Sequence, residues 1–259
     1  MTPLAGLLPD GIAAALGLSP AFRGRQVFRW IHRGIEAFSD MSDLPAALRV
    51  SLEEQARILT STVDTRSESE DGSVKLRIRL HDGAAIEAMS LQDGRGRRTA
   101  CLSTQAGCGM GCAFCRTGLM GLARNLAAHE IVEQLLHLRR ETGDVGNIVF
   151  MGMGEPLLNF DAVAAAVAVF SHADGAAMSL RRITISTCGI VDGIRRLVEE
   201  GPVVRLAVSL VSAVPETRAA LMPVSRANPL PALREVLGVY QERTRRRVTL
   251  EVVLIDGVT

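Results

Sequence analysis

Along the chain the spacing of apolar residues changes twice. In the first sixty residues it follows the three-to-four-residue period of a helix. "LSPAFRGRQVFRWIHRG" (Leu18 to Gly34) puts Val27, Trp30 and Ile31 on one face, with Ser19 as the expected cap, Pro20 at the first helical position and Gly34 as the stop. "SDLPAALRVSLEEQAR" repeats the pattern, with Ser42 or Asp43 capping and Leu44, Leu48 and Leu52 on one stripe. The period then drops to two. In "VKLRIRL", Val74, Leu76, Ile78 and Leu80 alternate with Lys75, Arg77 and Arg79, the mark of a half-buried strand. His81 to Gly83 predicts a turn, and "AIEAMSL" a returning strand.

From Thr99 onward short apolar strands alternate with helical segments. Strands are expected at "TACLST", "NIVFMGMG", "RITISTCG", "VRLAVSLVS" and "VTLEVVLIDGV", and helices at "AAHEIVEQLLHLRRE", "DAVAAAVAVFSH", "VDGIRRLVEE" and "PLPALREVLGVYQER". Such alternation implies parallel βαβ units, with functional groups on the loops that leave the C-terminal ends of the strands. The expected fold is therefore α/β. A helical accessory domain over 1–60 and antiparallel linker strands over 61–98 precede a partial parallel (βα) barrel over 99–259. The residues from Thr99 are too few for eight repeats of a barrel of ~250 residues, and "IDGVT" ends at a strand tip with no covering helix, so the barrel is expected to be incomplete at its C-terminus.

Composition narrows the function. An apolar fraction of 47% and a charged fraction of 22% belong to a folded globular chain. A net charge of +1 makes any polyanion-binding surface local, and an aromatic content of 3% argues against a surface of base-stacking rings. The N-terminus lacks a basic signal-peptide region, and the longest apolar run, Ala162 to Phe170, is too short to span a bilayer. Five cysteines, odd in number and clustered, do not form a secreted disulfide framework; a reduced, cytoplasmic setting is expected.

Three of those cysteines, Cys108, Cys112 and Cys115, fall in "GCGMGCAFCRTG". Three thiolates spaced C-x3-C-x2-C can hold a 4Fe–4S cluster and leave one iron open for the amino and carboxylate groups of S-adenosylmethionine. Zinc is the alternative, with His129 or Cys101 as fourth ligand, although the two separated CxxC pairs of a zinc ribbon are absent; buried free thiols are a third reading. "GMGEP" ends the second strand of the core, where Glu155 is placed to accept from an ammonium. Ser186 and Ser209 lie at strand tips as possible donors to a ribose or carboxylate.

"CLSTQAGCGMGCAFCRTGLMGLARNL", "FMGMGEPLLN", "RRITISTCGI" and "LMPV" closely resemble the radical-SAM 23S rRNA adenine C2-methyltransferases and their C8-methylating relatives. "FRGRQVFRWIHRGIEAFSDMSDLPAALR" is similar to that family's helical domain, so the resemblance covers nearly the whole chain. It implies cluster ligation by Cys108, Cys112 and Cys115, and S-adenosylmethionine contacts at Gly154, Glu155, Ser186 and Ser209. It further implies a proton-accepting Glu87 and a Cys101 that resolves a methyl-cysteine adduct through a disulfide. The implied target is an adenosine of 23S rRNA, with tRNA as a second substrate, served by an electron donor such as flavodoxin; a monomer without membrane attachment is expected.

Two departures from the family stand out. Val211 occupies a place where the family usually has His, and the family's methyl-carrying cysteine lies in a C-terminal segment beyond Thr259. Cys188 is read as structural. The rival readings are C8 methylation, a radical-SAM enzyme of a small molecule or peptide, and a cluster-binding paralogue without turnover. The loop arginines Arg95, Arg97 and Arg98, just ahead of Cys101, are expected to meet RNA phosphates, whereas Lys75, Arg77 and Arg79 suit either RNA or a solvated face. His129 and His137 are expected to be solvated, and "ERTRRR" to be an exposed helix end.

Overall fold

A computed structural model describes all 259 residues, Met1 to Thr259. The N-terminal module holds α1 (Pro9–Ala15), α2 (Phe22–His32) and α3 (Ala46–Gln55), closed by a two-residue parallel pairing of β1 (Thr2–Pro3) with β2 (Ala56–Arg57). Leu4, Ile12, Val27, Phe28, Ile31, Phe38 and Met41 fill its interior. The expected caps are replaced. Helix α2 starts after Ala21, two residues beyond Pro20, and α3 starts after Pro45, neither with a side-chain cap. Asp43 instead accepts from Trp30 Nε1 at 2.6 Å and Gln26 Nε2 at 3.0 Å, a tertiary use of a carboxylate that sequence pattern assigns to capping. Gly34 does stop α2, at φ +87°.

The rest of the chain is organised on one eight-stranded sheet, in the order β12-β11-β10-β9-β6-β5-β4-β3. The five expected core strands are β6 (Arg98–Cys101), β9 (Asn147–Phe150), β10 (Ile183–Thr187), β11 (Arg205–Ser209) and β12 (Val248–Glu251), and all pair in parallel. β3 (Thr62–Glu68), β4 (Val74–Arg79) and β5 (Ala85–Gln92) are antiparallel as expected, but they continue this sheet through β5–β6 pairing. Between β6 and β9 lie β7 (Gln105–Cys108) and β8 (Gly121–Asn125), a separate hairpin, and then α4 (Ala128–Thr142). The later crossovers are α5 (Phe160–Ser171), α6 (Val191–Glu199), and the pair α7 (Pro215–Leu221) and α8 (Leu230–Thr244).

The order of the parallel strands runs one way without a switch point, as in a barrel rather than a doubly wound sheet. Only one face of the sheet is therefore buried beneath helices. Leu76, Ile78, Ile86, Ala100, Ile148, Phe150, Ile183, Ile185, Leu206 and Val208 form that face, packed in one core with Ile131, Val167, Ile194 and Leu233 of the helices. The period-two rule puts the alternate residues on the other face, and strand register aligns them. Arg77 is opposite Glu87, Met89 opposite Cys101, Cys101 opposite Val149, and Val149 opposite Thr184; Ser186 is opposite Ala207, and Ser209 opposite Glu251. Glu87, Cys101, Ser186 and Ser209 thus share one open face, whereas Arg98, in register with Ala100, lies on the other.

Helix α4 corrects an expectation. Residues from Glu130 to Leu138 are all buried, because the N-terminal module and the Thr60–Ser61 segment cover the side of α4 that would otherwise meet solvent. His137 is buried with Nε2 3.1 Å from Ser61 Oγ, and burial lowers its pKa to about 4; His129 is half-buried.

Candidate active site

The cysteine loop is carried by the β7–β8 hairpin, which stands at the C-terminal ends of the parallel strands. Gly107 permits its approach to β8: φ is +83°, and a Cβ there would lie 2.0 Å from the Gly121 carbonyl oxygen. Within the loop the Cys115 N–H donates to the Cys112 carbonyl at 3.0 Å, and the Ala113 N–H donates to the Leu221 carbonyl at 2.9 Å, tying the loop to the end of α7.

A mesh of hydrogen bonds joins this hairpin to the "GMGEP" turn. The Thr104 and Gln105 N–H groups donate to the Met153 carbonyl at 2.8 and 3.2 Å, and Ser103 Oγ accepts from the Met153 N–H at 2.9 Å. Gln105 Oε1 accepts from the Glu155 N–H at 2.9 Å, while its Nε2 donates to Asn125 Oδ1 at 2.7 Å. Gly154 sits at φ +100° with Gln105 so near that an added Cβ would meet the Gln105 Cβ at 2.5 Å. The turn and the hairpin are therefore one rigid unit.

Glu155 turns back under this unit, 3% exposed. Its Oε1 accepts from the Leu157 N–H at 3.0 Å and its Oε2 from the Cys188 N–H at 2.7 Å, so it ties β9's exit to β10's exit. Burial pushes its carboxyl above the usual range, against the pull of these donors. Cys112, Cys188, Val211 and Met222 form a small buried cluster, with Met110 and Cys115 at its edge. The loops "GCGMGC", "STCG", "SLVS" and "LMPV", distant in sequence, thus meet at one place. Val211 is held at φ +64°, an unusual conformation for a β-branched residue, and its N–H donates to the Glu251 carbonyl at 3.0 Å.

All five cysteines are free thiols. The disulfide implied by the resemblance is absent, and Cys101 is instead buried at the end of β6 against the Met151 backbone. Burial pushes the thiols of Cys101 and Cys112 up to about 11 and raises that of Cys108. For Cys112, the neighbouring charges of Cys108 and Cys115 act in the same direction. Three thiols on one loop are a donor set for a metal centre, yet no three His, Cys, Asp or Glu side chains converge on a point where a single ion would sit.

Ser186 and Ser209 point at a residue that sequence reading missed. Glu251 Oε2 accepts from Ser186 Oγ at 3.2 Å, and Ser209 Oγ lies 3.5 Å from the same oxygen. The only signal for Glu251 was its alternate position in "VTLEVV". Glu87, on the open face of β5, is half-exposed and pairs with Lys75 Nζ at 3.2 Å. Arg77 and Arg79 pair with Asp64 at 3.3 and 2.6 Å, so the cationic stripe of β4 is largely neutralised within the sheet.

The loop arginines lie elsewhere. Arg95 and Arg97 precede β6 and Arg98 is its first residue, so all three stand at the N-terminal ends of the parallel strands, away from the cysteine loop. Arg97 pairs with Asp93 at 2.7 Å, and Arg98 Nη1 donates to the Gly72 carbonyl at 3.1 Å. Nearness to Cys101 in sequence misled here, because the length of a strand separates the two. Arg97, Arg98, Arg182 and Arg205, with Asp93 and Asp144, line a cavity of about 760 Å³ at that end.

Comparison with known proteins converges on one family. Residues 102–259 match the model of the radical SAM superfamily, and residues 14–58 match the ribosomal RNA large subunit methyltransferase N-terminal domain. The chain is 48% identical over 255 residues to the probable dual-specificity RNA methyltransferase RlmN of Treponema pallidum, covering 98% of this chain and 75% of that protein. It is 49% identical over 271 residues to the corresponding protein of Moorella thermoacetica, with the same coverage. A crystal structure of a radical SAM methyltransferase from Sphaerobacter thermophilus superposes with a TM-score of 0.93 at 38% identity, covering 100% of this chain and 78% of that one. No helix of the chain is long and apolar enough to cross a membrane.

Proposed function

The chain belongs to the RlmN family of radical SAM dual-specificity RNA methyltransferases, and from that premise we propose that it methylates C2 of an adenosine in 23S rRNA and in tRNA. The observation that carries this reading is the meeting of the cysteine loop with two strand-end loops and the end of α7, at the end of the sheet where βα folds place their chemistry. The dual specificity named for the relatives favours two RNA substrates, and favours the C2 reading of the resemblance over the C8 one.

Cys108, Cys112 and Cys115 would hold a 4Fe–4S cluster. Three thiols on one loop in C-x3-C-x2-C spacing, with no second CxxC pair in the chain, suit such a cluster better than a zinc ribbon. Bound there with S-adenosylmethionine, the cluster supplies one-electron cleavage of the sulfonium, a route to methylating an electrophilic sp2 carbon. The residues around it have separable tasks. Burial holds Cys108 and Cys112 as thiols before loading, so metal uptake releases protons and weakens in acid. Glu155 accepts one backbone N–H at each oxygen and also bonds the Cys188 and Thr187 side chains, and it would take the ammonium of S-adenosylmethionine with its remaining acceptor capacity. Gly154 keeps the turn beside it free of a side chain.

Ser186 and Ser209, aligned on Glu251, form a polar edge for the ribose and carboxylate. Glu87 and Cys101 share the open face of the sheet, Glu87 as proton acceptor and Cys101 as the thiol that resolves the RNA adduct. Burial holds Cys101 as a thiol at neutral pH, so it acts only when a base takes its proton.

The test is anaerobic incubation of iron-loaded protein with S-adenosylmethionine, dithionite and either 23S rRNA or tRNA. The reading predicts 5′-deoxyadenosine with this chain and, where the methyl-carrying cysteine implied by the family resemblance is present, 2-methyladenosine in digests of both RNAs. An iron-loaded protein that cleaves no S-adenosylmethionine, or one that yields only 8-methyladenosine, would overturn it.

A further inference from the structure

Arg218 is the largest fully buried side chain of the protein, at 0% exposure. Its guanidinium is satisfied by neutral groups alone. Nε donates to the Leu210 carbonyl at 3.0 Å, Nη1 to Ser225 Oγ at 2.7 Å and Nη2 to the Cys188 carbonyl at 2.8 Å. It makes no ion pair, unlike the arginines at the other end of the strands. A guanidinium cannot escape burial by losing its proton at ordinary pH, so a lone one in the interior carries a desolvation cost of several kcal/mol. Hydrogen bonds to carbonyls offset its lost hydration but leave the charge itself uncompensated.

What faces this charge is the cysteine loop. Arg218 lies on α7, whose last residue, Leu221, accepts the Ala113 N–H of the loop at 2.9 Å. Its Nη2 grips the carbonyl of Cys188, whose side chain packs with Cys112. Charge on Cys112 or Cys188 is felt at the guanidinium and favours its cationic form, against the effect of burial. The only buried carboxylate nearby, Glu155, holds the opposite, N–H side of Cys188. The free thiols supply no counter-charge, whereas three thiolates around a cluster do.

We propose that Arg218 is the buried counter-charge of the metal centre held by Cys108, Cys112 and Cys115, and that it sets the potential at which that centre accepts an electron. The inference rests on the cluster reading above. Three thiolates on an oxidised [4Fe–4S]2+ core carry a net charge of −1, and one electron from a one-electron donor makes it −2, with no bond broken and no proton moved. A fixed positive charge favours the more negative state, so Arg218 raises the midpoint potential. Arg218 is a positioning residue that acts through the centre and touches no substrate.

The test is an EPR-monitored redox titration of the reconstituted full chain, with iron content and melting temperature measured on the same samples. Arg218→Gln keeps amide donors and removes the charge; its midpoint should move to more negative values at unchanged iron content. Arg218→Lys keeps the charge and should stay near the parent value. Ser225→Asp leaves Arg218 in place and sets a carboxylate against it; its midpoint should also fall, which keeps the proposal testable if Arg218→Gln does not fold. A merely structural arginine predicts otherwise: iron-loaded Arg218→Gln or Ser225→Asp protein would keep the parent potential, and that result would overturn the inference. A parent protein that takes up no iron would instead refute the cluster reading on which it rests.

Discussion

The two ends of the parallel strands treat charge in opposite ways. At the N-terminal end, Arg97, Arg182 and Arg205 are exposed and their acidic neighbours are solvated, with the Asp144 side chain 85% exposed. Such pairs contribute little to stability and can be exchanged at little cost. At the C-terminal end, Glu155, Arg218, Cys108, Cys112 and Cys188 are buried, and the charged groups are held by backbone amides and carbonyls rather than by each other. A fold incurs that cost where a ligand's charge completes the arrangement. A cavity of about 760 Å³ lies at the first end, whereas the cysteine loop stands at the second.

Breaking the contrast at its strongest point, Cys112→Ala should reduce the iron content of reconstituted protein from ~four per chain to well below one, whereas Arg205→Ala should leave it unchanged; iron and sulfide analysis decides. Stability follows the same division. Glu155→Ala orphans the N–H groups of Cys188 and Leu157 and should cost on the order of 3 kcal/mol, while Arg205→Ala should stay within about 0.5 kcal/mol, as read by denaturant unfolding.

A third region sharpens the comparison, because burial there disfavours the charged form of two histidines. His32 and His137, at the seam between the helical module and the sheet, have pKa values lowered to about 4, in each case chiefly by burial and then by a nearby arginine, Arg139 for His32 and Arg140 for His137. A lowered folded pKa means that the unfolded chain takes up the proton first as pH falls. Stability is therefore complete above the unfolded pKa of 6.5 and is lost on acidification toward 4, by about 2 kcal/mol for each histidine at pH 5. His137→Gln should flatten the dependence of melting temperature on pH between 7.5 and 5.

The smallest expected effect separates two glycines. Gly238 on α8 has open space where a Cβ would stand, so Gly238→Ala should stabilise by about 0.5–1 kcal/mol. Gly154→Ala, with φ +100° and Gln105 in the way, should instead lower the melting temperature and iron uptake together.

Much of this architecture was legible because it is periodic. "VKLRIRL" announced its two faces residue by residue, and the strand–helix alternation after Thr99 gave all five parallel strands. The cysteine spacing and the strand-end motifs pointed to one site, and the fold brings their loops together. What escaped was aperiodic or tertiary. The β7–β8 hairpin is built from "QAGC" and "GLARN", too short and glycine-rich to alternate, and α7 has seven residues, too few to show a face. Arg218 and Glu251 were invisible because their roles depend on what a distant loop or the next strand places opposite them. His137 was misread because α4 was treated as a surface helix, when a second module covers its outer side.

The most direct test of the central claim is the metal content of anaerobically reconstituted protein, followed by low-temperature EPR after reduction, with and without S-adenosylmethionine. The account predicts ~four irons and as many sulfides per chain, with a spectrum that changes when the cofactor is added. One zinc ion per chain, or a cluster whose spectrum ignores the cofactor, would contradict it.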